Sequence, residues 1–109
     1  MTVRNGTREF NEALITFVNT TQARLDADYA ALYGGFPAAP ALTVDPGAVN
    51  VRIVKTSPAS RSVYCFVRIS DGAILKADGW KRPAKHARGS IFVNAGQDAV
   101  STYGANRLR

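Results

Sequence analysis

Trp80, the single tryptophan of the chain, stands among Lys76, Lys81, Arg82, Lys85 and Arg88, beside the single histidine, His86, and opposed only by Asp78. Cationic side chains attract phosphate without regard to base sequence, and an aromatic ring beside them offers a surface for a base to stack on. Lys76, Trp80, Lys81, Arg82, Lys85 and Arg88 are therefore the candidate nucleic-acid-binding residues. Lys81, Arg82, Lys85 and Arg88 fall within eight residues, bracketed by Gly79 and Gly89 and constrained by Pro83, which suits a compact positive loop. Trp80 has a second reading, as a core residue packed on a helix with its indole N–H on a backbone carbonyl.

Other chemistry is sparse. Cys65 is the only cysteine, so no internal disulfide forms, and its place in an alternating segment makes it a small buried hydrophobe. One cysteine and one histidine make no zinc set. His86 reads as a structural or surface imidazole. Asp71 is explained by a turn and Asp98 by a helix cap, and no two carboxylates are spaced as an acid/base pair. Tyr33-Gly34-Gly35 stops a helix and lacks the Lys-Ser/Thr of a phosphate loop. We expect no enzyme, no metal and no cofactor.

The charge is divided along the chain. In residues 1–47, Arg4, Arg8 and Arg24 face Glu9, Glu12, Asp26, Asp28 and Asp45, giving 3 − 5 = −2. Residues 48–109 hold eleven Lys/Arg against Asp71, Asp78 and Asp98, giving 11 − 3 = +8. Such asymmetry favours an anionic partner for the back half, with nucleic acid first among candidates and ordinary solubility charge as the alternative. No apolar run approaches the roughly 20 residues of a membrane span, so no membrane partner is expected. The start, MTVRNGTREF, lacks the apolar run of a signal peptide, and a reducing, cytoplasmic setting fits.

The 109 residues suit one domain with a modest core. Three segments are expected: a helical segment over residues 1–35, a Pro-rich linker over 36–47, and a small basic β-rich domain over 48–109. After a loose arm at 1–6, Phe10, Leu14, Phe17, Val18, Leu25, Tyr29 and Leu32 recur at helical spacing, with Thr21 filling the gap. Thr7 is the expected N-cap and Gly34-Gly35 the stop, with a break possible at Asn19-Thr20-Thr21. Pro37, Pro40 and Pro46 give the linker extended geometry.

Val49–Thr56 alternates, as does Ser62–Ile69, with Val63, Cys65, Val67 and Ile69 on one face and Tyr64, Phe66 and Arg68 on the other. Asp71-Gly72 suits a tight hairpin turn into a return strand, Ala73–Ala77. Arg52, Arg68 and Lys76 would form a basic stripe if register put them on one face. A helical turn is expected over Ala84–Arg88, a fourth strand over Ser90–Val93 and a short helix over Asp98–Tyr103, before a basic tail. The fold class is α+β: an N-terminal helix, whole or broken, then an antiparallel sheet of three or four strands centred on Ser62–Ile69.

Arg61-Ser62-Val63-Tyr64-Cys65-Phe66, then Asp71-Gly72, then Gly79-Trp80-Lys81-Arg82-Pro83-Ala84-Lys85-His86-Ala87-Arg88-Gly89 and Ile91-Phe92, resemble short basic proteins encoded in bacteriophage genomes. Tyr103-Gly104 echoes their terminal Tyr-Gly segment, whereas Asp71-Gly72 reverses their Gly-Asp order. The resemblance spans roughly residues 50–105. It implies viral origin and a common small β-domain, and it transfers no functional residues. The leading expectation is a non-enzymatic phage protein that binds nucleic acid, DNA ahead of RNA. The alternative is a virion structural or assembly protein whose helix and linker dock on capsid or other virion proteins, or on further copies of itself. The corresponding location is the virion or the host cytoplasm.

Overall fold

The computed structural model describes residues 3–106. One helix, α1 (Arg8–Tyr33), lies on a five-stranded antiparallel sheet formed by β1 (Ala41–Pro46), β2 (Asn50–Ser57), β3 (Ser60–Arg68), β4 (Ala73–Ala77) and β5 (Pro83–Ser90) in sequence order. A kinked 3-10 segment, Asn94–Ala99, leads into a small hairpin, β6 (Val100–Ser101) and β7 (Gly104–Ala105). The fold class is α+β as expected, with more strands than expected and β3 at the centre.

The helix runs unbroken. Thr7 Oγ1 accepts from Phe10 N at 3.0 Å, and Gly34 closes the other end in left-handed geometry with its N–H on Ala30 O. Thr21 does not break it, because its hydroxyl is fully buried and accepts from Gln97 Nε2 at 3.0 Å. Phe10, Leu14, Phe17, Val18 and Leu25 are buried, whereas Leu32 is 59% exposed, so the apolar stripe outruns the sheet beneath it.

The expected linker is half right. Ala41–Pro46 is extended, but it is paired along β2 rather than free. An edge strand tolerates Pro46, which has no N–H to offer, and the Leu42 N–H is met by Gln22 Oε1 of the helix at 2.7 Å. Residues 3–6 of the expected loose arm are docked: Val3 is 1% exposed, and its N–H donates to Asn11 Oδ1 at 2.6 Å. Helix and sheet share one core, in which Phe10, Leu14 and Phe17 meet Val51, Ile53, Cys65, Val67 and Ile74.

A β-bulge reorders the central strand. Ile53 pairs with Cys65 but Val54 pairs with Val63, which leaves Tyr64 as the extra residue. Tyr64 joins Cys65 in the helix-side core, and Val63 falls on the same side as Phe66. The expected alternation thus holds from Cys65 onward and reverses before it. The Tyr64 hydroxyl donates to Ser101 O, tying β3 to the terminal hairpin. The turn after β3 is also longer than expected. It comprises Ile69–Gly72, and only Gly72 has positive φ.

Pro83–Ser90 is a strand, not a helical turn followed by a strand at 90–93. The second edge of β4 carries backbone groups that need partners, and pairing satisfies them, whereas one isolated helical turn is costly to nucleate. The segment expected to form a helix over Asp98–Tyr103 instead supplies the end of the 3-10 segment and the β6 strand. The basic tail beyond Asn106 lies outside the described residues.

Gly96 shows how tightly the 3-10 segment seats on the core. Its φ is +76°, and an added Cβ would stand 2.5 Å from Phe17 and 2.9 Å from Ile74. Gly96→Ala should therefore lower stability by about 2–4 kcal/mol, from backbone strain and overpacking together. Urea unfolding checks this; a loss below about 1 kcal/mol would mean that the segment yields.

Candidate nucleic-acid interface

α1 covers one face of the sheet, and the other face has no helix on it. There the register sets Phe66 opposite Arg52 on one side and Leu75 on the other. Phe66 is 4% exposed and Leu75 3% exposed, although neither belongs to the helix-side core. The connection from β4 to β5, residues 78–82, closed by Asp78 N on Arg82 O at 2.8 Å, reaches this face, where Lys81 borders Phe66 and Trp80 borders Val63.

Arg52 holds that connection down. Its guanidinium pairs with Asp45 on β1, donates through Nη1 to Trp80 O at 2.9 Å, and lies 4.4 Å from the Trp80 ring centroid. Arg61, from the far end of β3, lies over the same ring at 5.4 Å. The alternation explains the meeting: Arg52 shares a face with Phe66, and the bulge at Tyr64 turns Val63 and Arg61 to that face as well. Trp80 is 38% exposed and its connection is on the surface, so it is no core residue. Lys81 lines a cleft of about 330 Å³ with Asp45, Asn50, Arg52 and the edge of Phe66. On that rim Asn50 Oδ1 is buried without a hydrogen-bond partner among the described residues.

The expected cluster is divided by the sheet. Lys76 follows Leu75 and therefore points to the opposite face, where it borders Ser101, Tyr103 and Gly104. Arg88 turns to the terminal hairpin, donating through Nε to Asn106 O at 2.7 Å and through Nη1 to His86 O. Trp80, Lys81, Arg82 and Lys85 remain exposed, and the three cations among them make no ion pair among the described residues. The basic stripe is likewise partial: Arg52 and Arg68 share the open face and Lys76 does not. Sequence reasoning did not place Arg52 and Arg61 against Trp80. Their alternation with apolar neighbours marked them as outward, but only the register and the bulge bring them together.

With this geometry in view, a family model described as a family of unknown function (DUF7717) matches residues 3–103. The chain belongs to that family. No curated protein and no solved structure matches it. The family's span takes in α1 and β1 together with Trp80 and its two arginines, so helix, sheet and open face form one family unit.

Electrostatics on the open face are partly internal. Arg68 meets Asp71 through two hydrogen bonds, Nε to Oδ1 at 3.0 Å and Nη2 to Oδ2 at 2.8 Å, while Asp71 Oδ1 also accepts from Ala73 N. The Arg68 hydrogen bonds and the Ala73 N–H hold the Asp71 carboxyl below its usual range. On the helix side, burial pushes the Cys65 thiol well up, consistent with an inert core sulfur. Burial also lowers Lys55, whose Nζ donates to Tyr103 O at 3.1 Å.

Because the folded-state pKa of Asp71 is depressed, its contribution to stability is present above its unfolded value near ~4 and disappears as pH falls through the lower folded value. Asp71→Asn should lower the melting temperature only slightly at neutral pH, the pair being exposed, and flatten its fall below about pH 4. Parallel thermal melts from pH 2 to 7 decide this; identical acid limbs in both proteins would show that the turn pair has no part in acid sensitivity.

Proposed function

We propose that this protein is a non-enzymatic, phage-encoded nucleic-acid-binding protein whose interface is the sheet face opposite α1. The observation that carries the reading is an exposed tryptophan held on a sheet face by Arg52 with a second guanidinium, Arg61, over its ring, while Arg61 and the nearby exposed Lys81, Arg82 and Lys85 make no ion pair among the described residues. Aromatic and guanidinium groups so placed meet bases and phosphates together. The layers also differ in charge. α1 has Arg8 and Arg24 against Glu9, Glu12, Asp26 and Asp28, net 2 − 4 = −2, whereas residues 50–90 have nine basic residues against Asp71 and Asp78, net 9 − 2 = +7. A polyanion is thus drawn to the sheet and repelled by the helix. The phage origin rests on the sequence resemblance, and DNA stands ahead of RNA for the same reason.

A second reading, a virion assembly protein, has its own observation. Leu32, Tyr33 and Phe36 are 59%, 45% and 90% exposed at the end of α1 and the start of the connection to β1. That apolar end suits docking on a neighbouring subunit. The two readings are compatible in a protein that lines a packaged genome, and both place it in the virion or the host cytoplasm.

A titration with single-stranded and double-stranded oligonucleotides across a range of salt tests the first reading. Replacing Arg61, Lys81, Arg82 and Lys85 by Gln should reduce the slope of log affinity against log salt by about 3, at about 0.7–0.9 per phosphate contact. The paired change Lys76→Gln and Arg88→Gln should leave that slope unaltered. Equal affinity and slope in the fourfold variant and the parent would remove the open face as the interface and leave the docking reading in front.

A further inference from the structure

We infer that the ligand of the open face is single-stranded nucleic acid, and that Arg61 occupies the place over Trp80 that a base takes on binding. The inference rests on the nucleic-acid reading above and narrows it. Two guanidiniums lie over one ring, and they are held differently. Arg52 is fixed by Asp45 and by the Trp80 carbonyl, and its approach of 4.4 Å is the closer. Arg61 is exposed, lies at 5.4 Å, and makes no ion pair among the described residues. A cation–π contact at an exposed site is weak, whereas a charge-assisted bond to phosphate is stronger. Arg61 therefore gains by leaving the ring for a phosphate when a base stacks in its place, and Arg52 keeps the ring oriented throughout.

The geometry disfavours a duplex. Reading the major groove requires a projecting helix or two-stranded ribbon. On this face the strands lie flat in the sheet, and α1 is committed to the other side. What the face presents is a ring that a base with a free π surface can stack on once Arg61 leaves it, and only an unpaired strand offers such a base. The cleft beside Lys81 continues the track, with Asn50 and Asp45 on its rim.

Trp80 is the only tryptophan, so its fluorescence reports on this site alone. Oligothymidylate of about twenty nucleotides and a mixed-sequence duplex of the same length are titrated at one salt concentration. The expected result is quenching of Trp80 by the single strand with at least tenfold tighter binding than the duplex. Trp80→Leu should lose about tenfold or more in single-strand affinity with little change for the duplex. Arg61→Ala should lower the single-strand salt slope by about 0.7 and retain the quenching. Since the parent protein's own quenching needs no variant, a Trp80→Leu protein that fails to fold leaves the test intact. Equal binding of both ligands, or single-strand binding without quenching, overturns the inference while the nucleic-acid reading stands. No binding of either ligand at low salt overturns both.

Discussion

A five-stranded sheet has two faces to keep from water, and among the described residues one α-helix is there to do it. α1 covers the first face and builds the main core. The second face also carries large apolar groups, Val54, Phe66 and Leu75, each 4% exposed or less. Leaving three such side chains open would forfeit about 1.5–3 kcal/mol each. Arg52 pairs opposite Phe66 and lies against the connection carrying Trp80, and long charged side chains cover apolar surface with their stems while their heads stay wet. Arg52 links the two, since it reaches Asp45, the Trp80 carbonyl and the Trp80 ring at once.

The groups on this face thus include arginine and tryptophan. They make the face cationic and aromatic. Charge follows the same division. Four of the eight acidic residues are on α1, which is net negative, while most of the basic ones belong to the strands and their connections. Some of the positive charge is spent internally, Arg52 on Asp45 and Arg68 on Asp71, both of which stay part exposed and add little to stability. Arg61, Lys81, Arg82 and Lys85 make no ion pair among the described residues.

Much of this was legible in the sequence, and the gaps have physical causes. The helix was readable to within a residue because Thr7, the 3.6-residue spacing and Gly34 all speak locally. The central strand was readable because Ser62–Ile69 alternates. The bulge at Tyr64 left no trace, since a tyrosine alternates in the sequence whether or not the ladder slips beside it. β5 was missed because Pro83–Ser90 has no apolar alternation; it is a strand because β4 needs a partner. β1 was hidden behind Pro37, Pro40 and Pro46, of which only Pro46 lies in the strand, at an edge that tolerates it. At the site, the local density of cations overstated the cluster. Lys76 and Arg88 are near Trp80 in sequence but belong to the other face, while Arg52 and Arg61 are distant in sequence and lie against its ring.

The most direct test is to see which atoms a nucleic acid touches. A two-dimensional ¹H–¹⁵N NMR spectrum of this chain contains one indole signal, from Trp80, and it can be followed while a single-stranded oligonucleotide is added. The account predicts that this signal and the Nε–H of Arg61 shift together, with the amides of residues 78–82, while the exposed face of α1 stays still. Shifts confined to α1 or to the Leu32–Phe36 end, with the indole unmoved, would contradict it.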